Sequence, residues 1–171
     1  MRRVILQLAV SLDSYIEGPN GEYDWCFIDQ DYGMSAFLKR IDSVFMGRKS
    51  YELVQSMGDV EMPLPKLTEY VFSTTLKELK PGMILIKEDI ETEVRKIKNQ
   101  PGKDIWLYGG ASLTTSFLNL GLVDEIMLAV HPIILGQGKA LFSNIQNRIG
   151  LQLIDHKTYS TGLVSLTYTI S

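Results

Sequence analysis

Trp106-Leu107-Tyr108-Gly109-Gly110-Ala111-Ser112-Leu113-Thr114 is the stretch on which the fold turns. Ile105 to Tyr108 reads as a strand, two glycines follow, and Ser112 and Thr114 fall in the first turn of a helix pattern. Leu113, Phe117 and Leu120 carry that pattern on as an apolar stripe. A strand–glycine–helix join aims backbone N–H groups at an anion, as diphosphate cradles do. The order is not G-x-G-x-x-G, so the usual dinucleotide fingerprint is absent. The same residues also read as a tight turn with no ligand.

The pattern repeats to either side. Val4 to Val10 is a mostly apolar run, as expected of a strand covered on both faces, and Ser43–Met46, Tyr70–Ser73 and Ile84–Ile86 are shorter runs of the same kind. Between them, Met34, Phe37, Leu38 and Ile41 sit at i, i+3, i+4, i+7, and Ile90, Val94 and Ile97 repeat the spacing. This alternation argues for an α/β fold with a largely parallel sheet. Later the style changes: Val123–Val130, Leu151–Tyr159 and Val164–Ile170 read as strands, with a hairpin signal at Ser160-Thr161-Gly162, so the sheet is mixed with an antiparallel C-terminal edge. Pro63 and Pro65, Pro81-Gly82 and Pro101-Gly102 mark loops.

Composition narrows the function classes. The 171 residues fit one domain spanning 1–171, and a 45% apolar content suits a packed core. Net charge is −3 and no Lys/Arg run exceeds two, so no basic stripe for nucleic acid is visible. One cysteine, Cys26, and two histidines make a Cys/His metal site implausible, so no metal is expected; Cys26 reads as a small, buried or half-buried apolar residue. The apolar run from Val4 stops at Ser11-Leu12-Asp13, too short for a signal peptide or a membrane span, which points to a cytoplasmic protein.

Three further segments are candidates for chemistry. Met46-Gly47-Arg48-Lys49-Ser50 follows a strand and opens a helix pattern, placing two cations where the helix dipole disfavours them unless an anion binds there. A solvated turn with an exposed Arg48-Lys49 pair explains the residues equally well. Ser73 and Thr74 end a strand, where hydroxyls face a ligand or, more commonly, cap the next turn. The segment Ser11 to Trp25 has the length and glycines of an active-site lid, and Asp24, Asp29 and Asp31 crowd its end, where a buried carboxylate could protonate a heterocycle.

Taken in order, these segments resemble the dihydrofolate reductase-like superfamily, closest to the reductase domain of the bifunctional riboflavin-biosynthesis deaminase-reductase and its stand-alone relatives. The resemblance is carried by Ser11-Leu12-Asp13 with Ile16, Asp24-Trp25, Met46-Gly47-Arg48, Ser73-Thr74, Gly109-Gly110-Ala111-Ser112-Leu113, Gly121-Leu122-Val123-Asp124-Glu125, Pro132 to Gly138, and Leu141-Phe142. It implies a three-layer fold with a mixed, mostly parallel eight-stranded sheet and NADPH across the strand ends. Gly47, Arg48, Lys49 and Ser50 would then hold the diphosphate and 2′-phosphate region, and Ser73 and Thr74 the adenosine phosphate. Gly109, Gly110, Ala111, Ser112, Leu113 and Thr114 would cradle the diphosphate, the glycine pair often being cis. Ala9 and Ile16 would line the nicotinamide pocket, Asp13 and Trp25 would meet substrate, and Asp29 and Asp31 would be the catalytic acids.

The implied reaction is NADPH-dependent reduction of a small heterocycle, like that of 5-amino-6-(5-phosphoribosylamino)uracil reductase. Two departures bear on the substrate. Folate reductases place an acid where Gln30 stands, and the arginines and Asp-Pro segment that hold a ribose phosphate are missing after Gly47. A dihydrofolate or pterin reductase and a non-catalytic nucleotide-binding homodimer, paired through its late strands, are the alternatives.

Overall fold

The computed structural model describes residues 1–58 and 65–171; Pro63, one of the loop markers, lies outside the described residues. The elements are β1 (Val4–Ser11), β2 (Tyr15–Glu17), α1 (Met34–Arg40), β3 (Ile41–Gly47), α2 (Arg48–Ser56), β4 (Thr68–Phe72), β5 (Ile84–Ile86), α3 (Ile90–Lys98), β6 (Asp104–Gly109), α4 (Ala111–Asn119), β7 (Glu125–His131), β8 (Lys139–Ala140), β9 (Leu151–Thr158) and β10 (Val164–Ile170). Eight strands form one sheet in the order β5-β4-β3-β6-β1-β7-β10-β9, and β2 and β8 pair separately. The run from β5 to β7 is parallel and β10 pairs antiparallel with β7 and with β9, the mixed sheet expected.

The continuous apolar runs follow from period-2 alternation across a sheet covered on both faces. Val4 and Leu6 of β1, with Ile105 and Leu107 of β6, face the layer holding Val94 and Ile97 of α3 and Leu113, Phe117 and Leu118 of α4. Ile5 and Trp106, one residue along, face Phe37 of α1 and Tyr51 of α2. Phe117 meets Phe45 and Phe72 with ring centroids 5.8 and 5.3 Å apart. Each fully buried side chain of this size contributes about 1.5–3 kcal/mol.

At the amino edge of the sheet, charge fastens the layers together. Glu125, 1% exposed, accepts from Arg40 at 2.8 and 3.0 Å and from Arg3 at 3.4 Å. Asp124 accepts from Val4 N at 2.7 Å and from Lys98 Nζ at 2.9 Å. Burial of Glu125 is tolerable because both oxygens are paired. The Gly121–Glu125 motif is therefore structural, on the edge opposite the strand ends that carry Gly47 and Gly109. No helix among the described residues is long and apolar enough to cross a membrane.

Candidate active site

Because β1, β3, β4, β6 and β7 run parallel, their carboxyl ends share one edge: Ser11 stands opposite His131, Met46 opposite Gly109, and Gly47 opposite Phe72. Open α/β sheets bind ligands there. Gly47 and Gly110 precede α2 and α4, and neither helix has a side-chain cap or an acid in its first turn. Helix α3 provides a contrast: Asp89 accepts from Thr92 N, and Glu91 and Glu93 occupy its first turn. A helix start satisfied as α3 is needs no ligand, whereas α2 and α4 leave their N–H groups and dipole ends open to an anion.

The two open starts lie side by side. A methyl group on Gly47 would sit 3.6 Å from both Gly109 O and Leu113 Cβ, and one on Gly110 would sit 3.5 Å from Ser50 Oγ. Side chains at either glycine would line the space between the helices rather than fill a gap in the core. The Gly109–Gly110 peptide is cis, as the resemblance implies, and Gly109 has φ 97°, a region that favours glycine. Arg48 and Lys49 are exposed, and Arg48 meets Glu52 at 3.7 Å. An exposed pair of that kind contributes about 0–1 kcal/mol, so a bound phosphate could redirect Arg48 at little cost.

Beside α4 lies a cavity of about 480 Å³, lined by Ala111, Ser112, Thr115 and Ser116 and, across from them, by Gly138, Lys139 and Ala140. The far wall is built by Gly138 and β8, to which β2 is paired. Tyr15 pairs with Ala140 and Glu17 with Lys139, whose ammonium meets Glu17 at 3.0 Å. At Gly138, φ 143°, a side chain would run into Glu17 O. The segment read as one long lid is thus interrupted by β2, and the stretch without helix or strand is 18–33. The sequence reading missed this wall: strands of two and three residues are too short for any period to register. The Gly136-Gln137-Gly138 spacing was its one signal.

The other expected site residues fall out unevenly. Ala9 and Ile16 are half-buried near the carboxyl edge, Ala9 in β1 opposite Ala129 and Ile16 in β2. Ser73 Oγ accepts from Thr75 N at 3.2 Å and Leu76 N at 3.1 Å, so it caps the turn, and Thr74 is exposed beside it. Asp13 accepts from Ser11 Oγ at 2.7 Å, Leu135 N at 3.1 Å and Gly136 N at 2.8 Å. Burial pushes its carboxyl up, but these hydrogen bonds outweigh that and hold it below the usual carboxylate range. Asp13 fastens the Leu135-Gly136 turn with both oxygens.

The buried carboxylate expected near the lid is not found at Asp29 or Asp31. Both are exposed. Asp31 accepts from Ser35 Oγ at 2.6 Å, Ser35 N at 3.0 Å and Gly33 N at 3.1 Å, securing the start of α1. The Ser35 bonds above all, despite some burial, then the Gly33 bond and the Lys157 charge, hold its pKa down. Asp29 accepts from Tyr32 Oη at 2.6 Å. Short acidic clusters read alike in sequence whether they cap a helix or face a ligand.

What the site offers in their place is aromatic. Tyr108, the last side chain of β6 before the glycine pair, packs on the α1/α2 face against Trp106 at 5.1 Å. Burial, helped by Tyr23 on the lid, raises its pKa, so it stays a donor. The indole N–H of Trp25 is buried with no partner among the described residues, a donor left for a ligand atom or an ordered water. Cys26 is half-buried, and burial with the Asp24 charge pushes its thiol up to about 11, which suits the inert role read from the sequence.

Comparison with known proteins identifies the family and the fold. The uncharacterized protein YyaP of Bacillus subtilis (strain 168) is 49% identical over 177 residues, covering 98% of this chain and 94% of the relative. A Shewanella sp. PV-4 protein named for riboflavin biosynthesis superposes with TM-score 0.88 at 26% identity, covering 99% of both chains. Dihydrofolate reductase from Enterococcus faecalis, solved with NADP(H), superposes with TM-score 0.71 at 16% identity over 99% of this chain and 96% of that one. The fold is therefore dihydrofolate reductase-like. With residues 2–165 matched by the family model of the RibD C-terminal domain, the chain belongs to the RibD C-terminal domain family.

Proposed function

We propose that this protein is a cytoplasmic NADPH-dependent reductase of a small heterocycle, resembling 5-amino-6-(5-phosphoribosylamino)uracil reductase. The observation that carries the reading is the pair of uncapped helix starts meeting through Gly47, Ser50 and Gly110 at the carboxyl edge. Family membership supports it, as does a shared fold with a reductase solved with NADP(H). Gly47, Ser50 and Gly109 to Thr114 would hold the diphosphate, Arg48 and Lys49 the 2′-phosphate, and Ser73 and Thr74 the adenosine side. NADPH, when bound, supplies hydride to a C=N or C=O group.

The chain's own part is to bind, orient and protonate. Ala9 and Ile16 would flank the nicotinamide, and the Trp25 N–H would hold the substrate ring. Tyr108 would give the proton that balances the hydride, in place of Asp29 and Asp31, which are solvated and already engaged. Asp13 would act indirectly, by fixing the Leu135-Gly136 turn. A folate reductase is the weaker reading because Gln30 replaces the acid and its neighbours do structural work.

Thermal unfolding tests the cofactor. NADPH is expected to raise Tm more than NADH, and Arg48→Ala to remove most of the difference. No shift with either nucleotide at millimolar concentration defeats the proposal. Single-turnover oxidation of bound NADPH by pyrimidines, pterins or flavins then separates a reductase from a non-catalytic binder.

A further inference from the structure

Segment 18–33 brings charge of one sign to the carboxyl edge. It carries Glu22, Asp24, Asp29 and Asp31 and no Lys or Arg. Glu22 accepts from Asn20 N at 2.7 Å, Asp29 from Tyr32 Oη at 2.6 Å and Asp31 from Ser35 Oγ at 2.6 Å. These donors are neutral, so the negative charge stays in place. Asp24, between Tyr23 and Trp25, is exposed and makes no hydrogen bond or ion pair among the described residues.

Cations at this edge are engaged elsewhere. Lys139 meets Glu17 at 3.0 Å, and Arg48 and Lys49 open α2. Lys77, Lys80 and Lys87 follow β4 and β5, at the far end of the strand order from β7 and β10. Lys157 of β9 lies 4.9 Å from the centroid of Tyr159, a ring on which Tyr32 packs. It offsets one of the four carboxylates.

The contacts that hold the segment are aromatic. His131, which ends β7, is 3% exposed, and its Nε2 accepts from Phe27 N at 3.1 Å. Trp25 meets that imidazole edge-on at 5.3 Å, and Phe27 packs on it at 5.0 Å. Two residues earlier in β7, Ala129 pairs with Ala9, which the cofactor reading sets beside the nicotinamide. The buried Trp25 N–H, with no acceptor among the described residues, is thus held toward that end of the site. A ring carbonyl or ring nitrogen would satisfy it. Aromatic walls with one placed donor suit a flat, neutral ligand. A phosphate needs Arg, Lys or several N–H donors, and beside the segment it would meet carboxylates instead.

We propose that the substrate is an uncharged planar heterocycle without a phosphate group, that it accepts from the Trp25 N–H, and that Asp24 turns away the phosphorylated form. The proposal rests on the reductase reading and narrows it: the ring is shared with the uracil reductase, the phosphate is not.

Paired rings test this: uridine and its monophosphate, riboflavin and its monophosphate, and 5-amino-6-(5-phosphoribosylamino)uracil and its dephosphorylated form. Each is titrated into isotope-labelled protein, with and without oxidised NADP, and followed by NMR at the indole N–H signals. Trp25 and Trp106 are the only tryptophans, and Trp106, bonded to Gln7 O at 3.0 Å, is the internal control. At least one phosphate-free ring is expected to move the Trp25 signal and to bind about tenfold or more tightly than its phosphorylated partner in about 10 mM salt, the gap narrowing in about 0.5 M salt. Asp24→Lys, a change of two charges at an exposed position, should narrow the low-salt gap about tenfold, and Asp24→Asn should narrow it less. A phosphorylated partner that binds equally or better overturns the proposal, as does a Trp25 signal that no ring moves. A gap unchanged in Asp24→Lys overturns the part given to Asp24. Absence of any nucleotide effect on Tm rejects the reductase reading, whereas these titrations involve no turnover and stand or fall on their own.

Discussion

Gly47→Ala isolates the anion cradle from the fold. The added methyl meets Gly109 O and Leu113 Cβ at 3.6 Å, ordinary contact distances, and φ −81° is open to any residue. The intrinsic cost is that of replacing glycine by alanine at a helix N-cap, about 0.5–1 kcal/mol. For a chain of this size that lowers Tm by roughly 1–4 °C. The methyl stands between two helix starts that would share a phosphate. If it displaces two hydrogen bonds to a charged group, the loss is about 3 kcal/mol or more, roughly a hundredfold in Kd. At a concentration a hundred times the unmodified protein's Kd, NADPH stabilises that protein by about 2.7 kcal/mol and the variant by only about 0.4 kcal/mol. Differential scanning fluorimetry with and without NADPH reads this as a shift of about 5–10 °C against one of about 1–2 °C. Equal nucleotide shifts would refute the cradle. A nucleotide-free loss well beyond the N-cap cost would show that Gly47 is needed by the fold itself.

Other outcomes follow from the same geometry. Asp13→Asn should lower Tm at neutral pH and flatten the acid limb of stability: a carboxylate with a depressed folded pKa stabilises above its unfolded value near pH 4 and loses that effect as pH falls through the folded pKa, so urea titrations from pH 6 to 2 should converge for the two proteins. Cys26, with its thiol at about 11, should be about one part in a thousand thiolate at pH 8 and react with a disulfide reagent far more slowly than in urea-unfolded protein; equal rates would contradict its burial. All eight residues of β9 are exposed and the strand is the sheet's outer edge among the described residues, with Leu151, Leu153 and Ile154 on it, so a dimer through that edge would show twice 19.3 kDa by light scattering and dissociate in Leu153→Lys. A monomer at all concentrations rules that assembly out.

The α/β class was readable because both sheet faces are covered. Val4–Val10 and Ile105–Tyr108 leave no polar stripe, and Phe37, Ile97 and Phe117 each belong to an apolar stripe at helical spacing within its own helix. The glycine turns were readable as a pair only through their order along the chain, since what joins Gly47 to Gly110 is a β3–β6 register that no local pattern carries. Polar clusters misled for a definite reason. Asp31, Ser73 and Asp13 are short side chains near turns, and such residues bind their own backbone as readily as a ligand. In the sequence His131 is a histidine before Pro132, and no local pattern marks it. Its meaning lies in Phe27, 104 residues away in the chain.

The place of β1 in the middle of the sheet bears on how the chain is made. Ile5 pairs with Trp106 on one side and Glu125 on the other. At roughly 5–20 residues per second, a ribosome emits the last of these partners about 6–24 s after Ile5 itself. For most of that interval, until β6 follows about 5–20 s after Ile5, Val4, Ile5 and Leu6, wholly buried in the finished protein, have neither flanking strand to pair with. Biogenesis therefore hinges on keeping the first strand from other company until nearly three-quarters of the polypeptide has followed it.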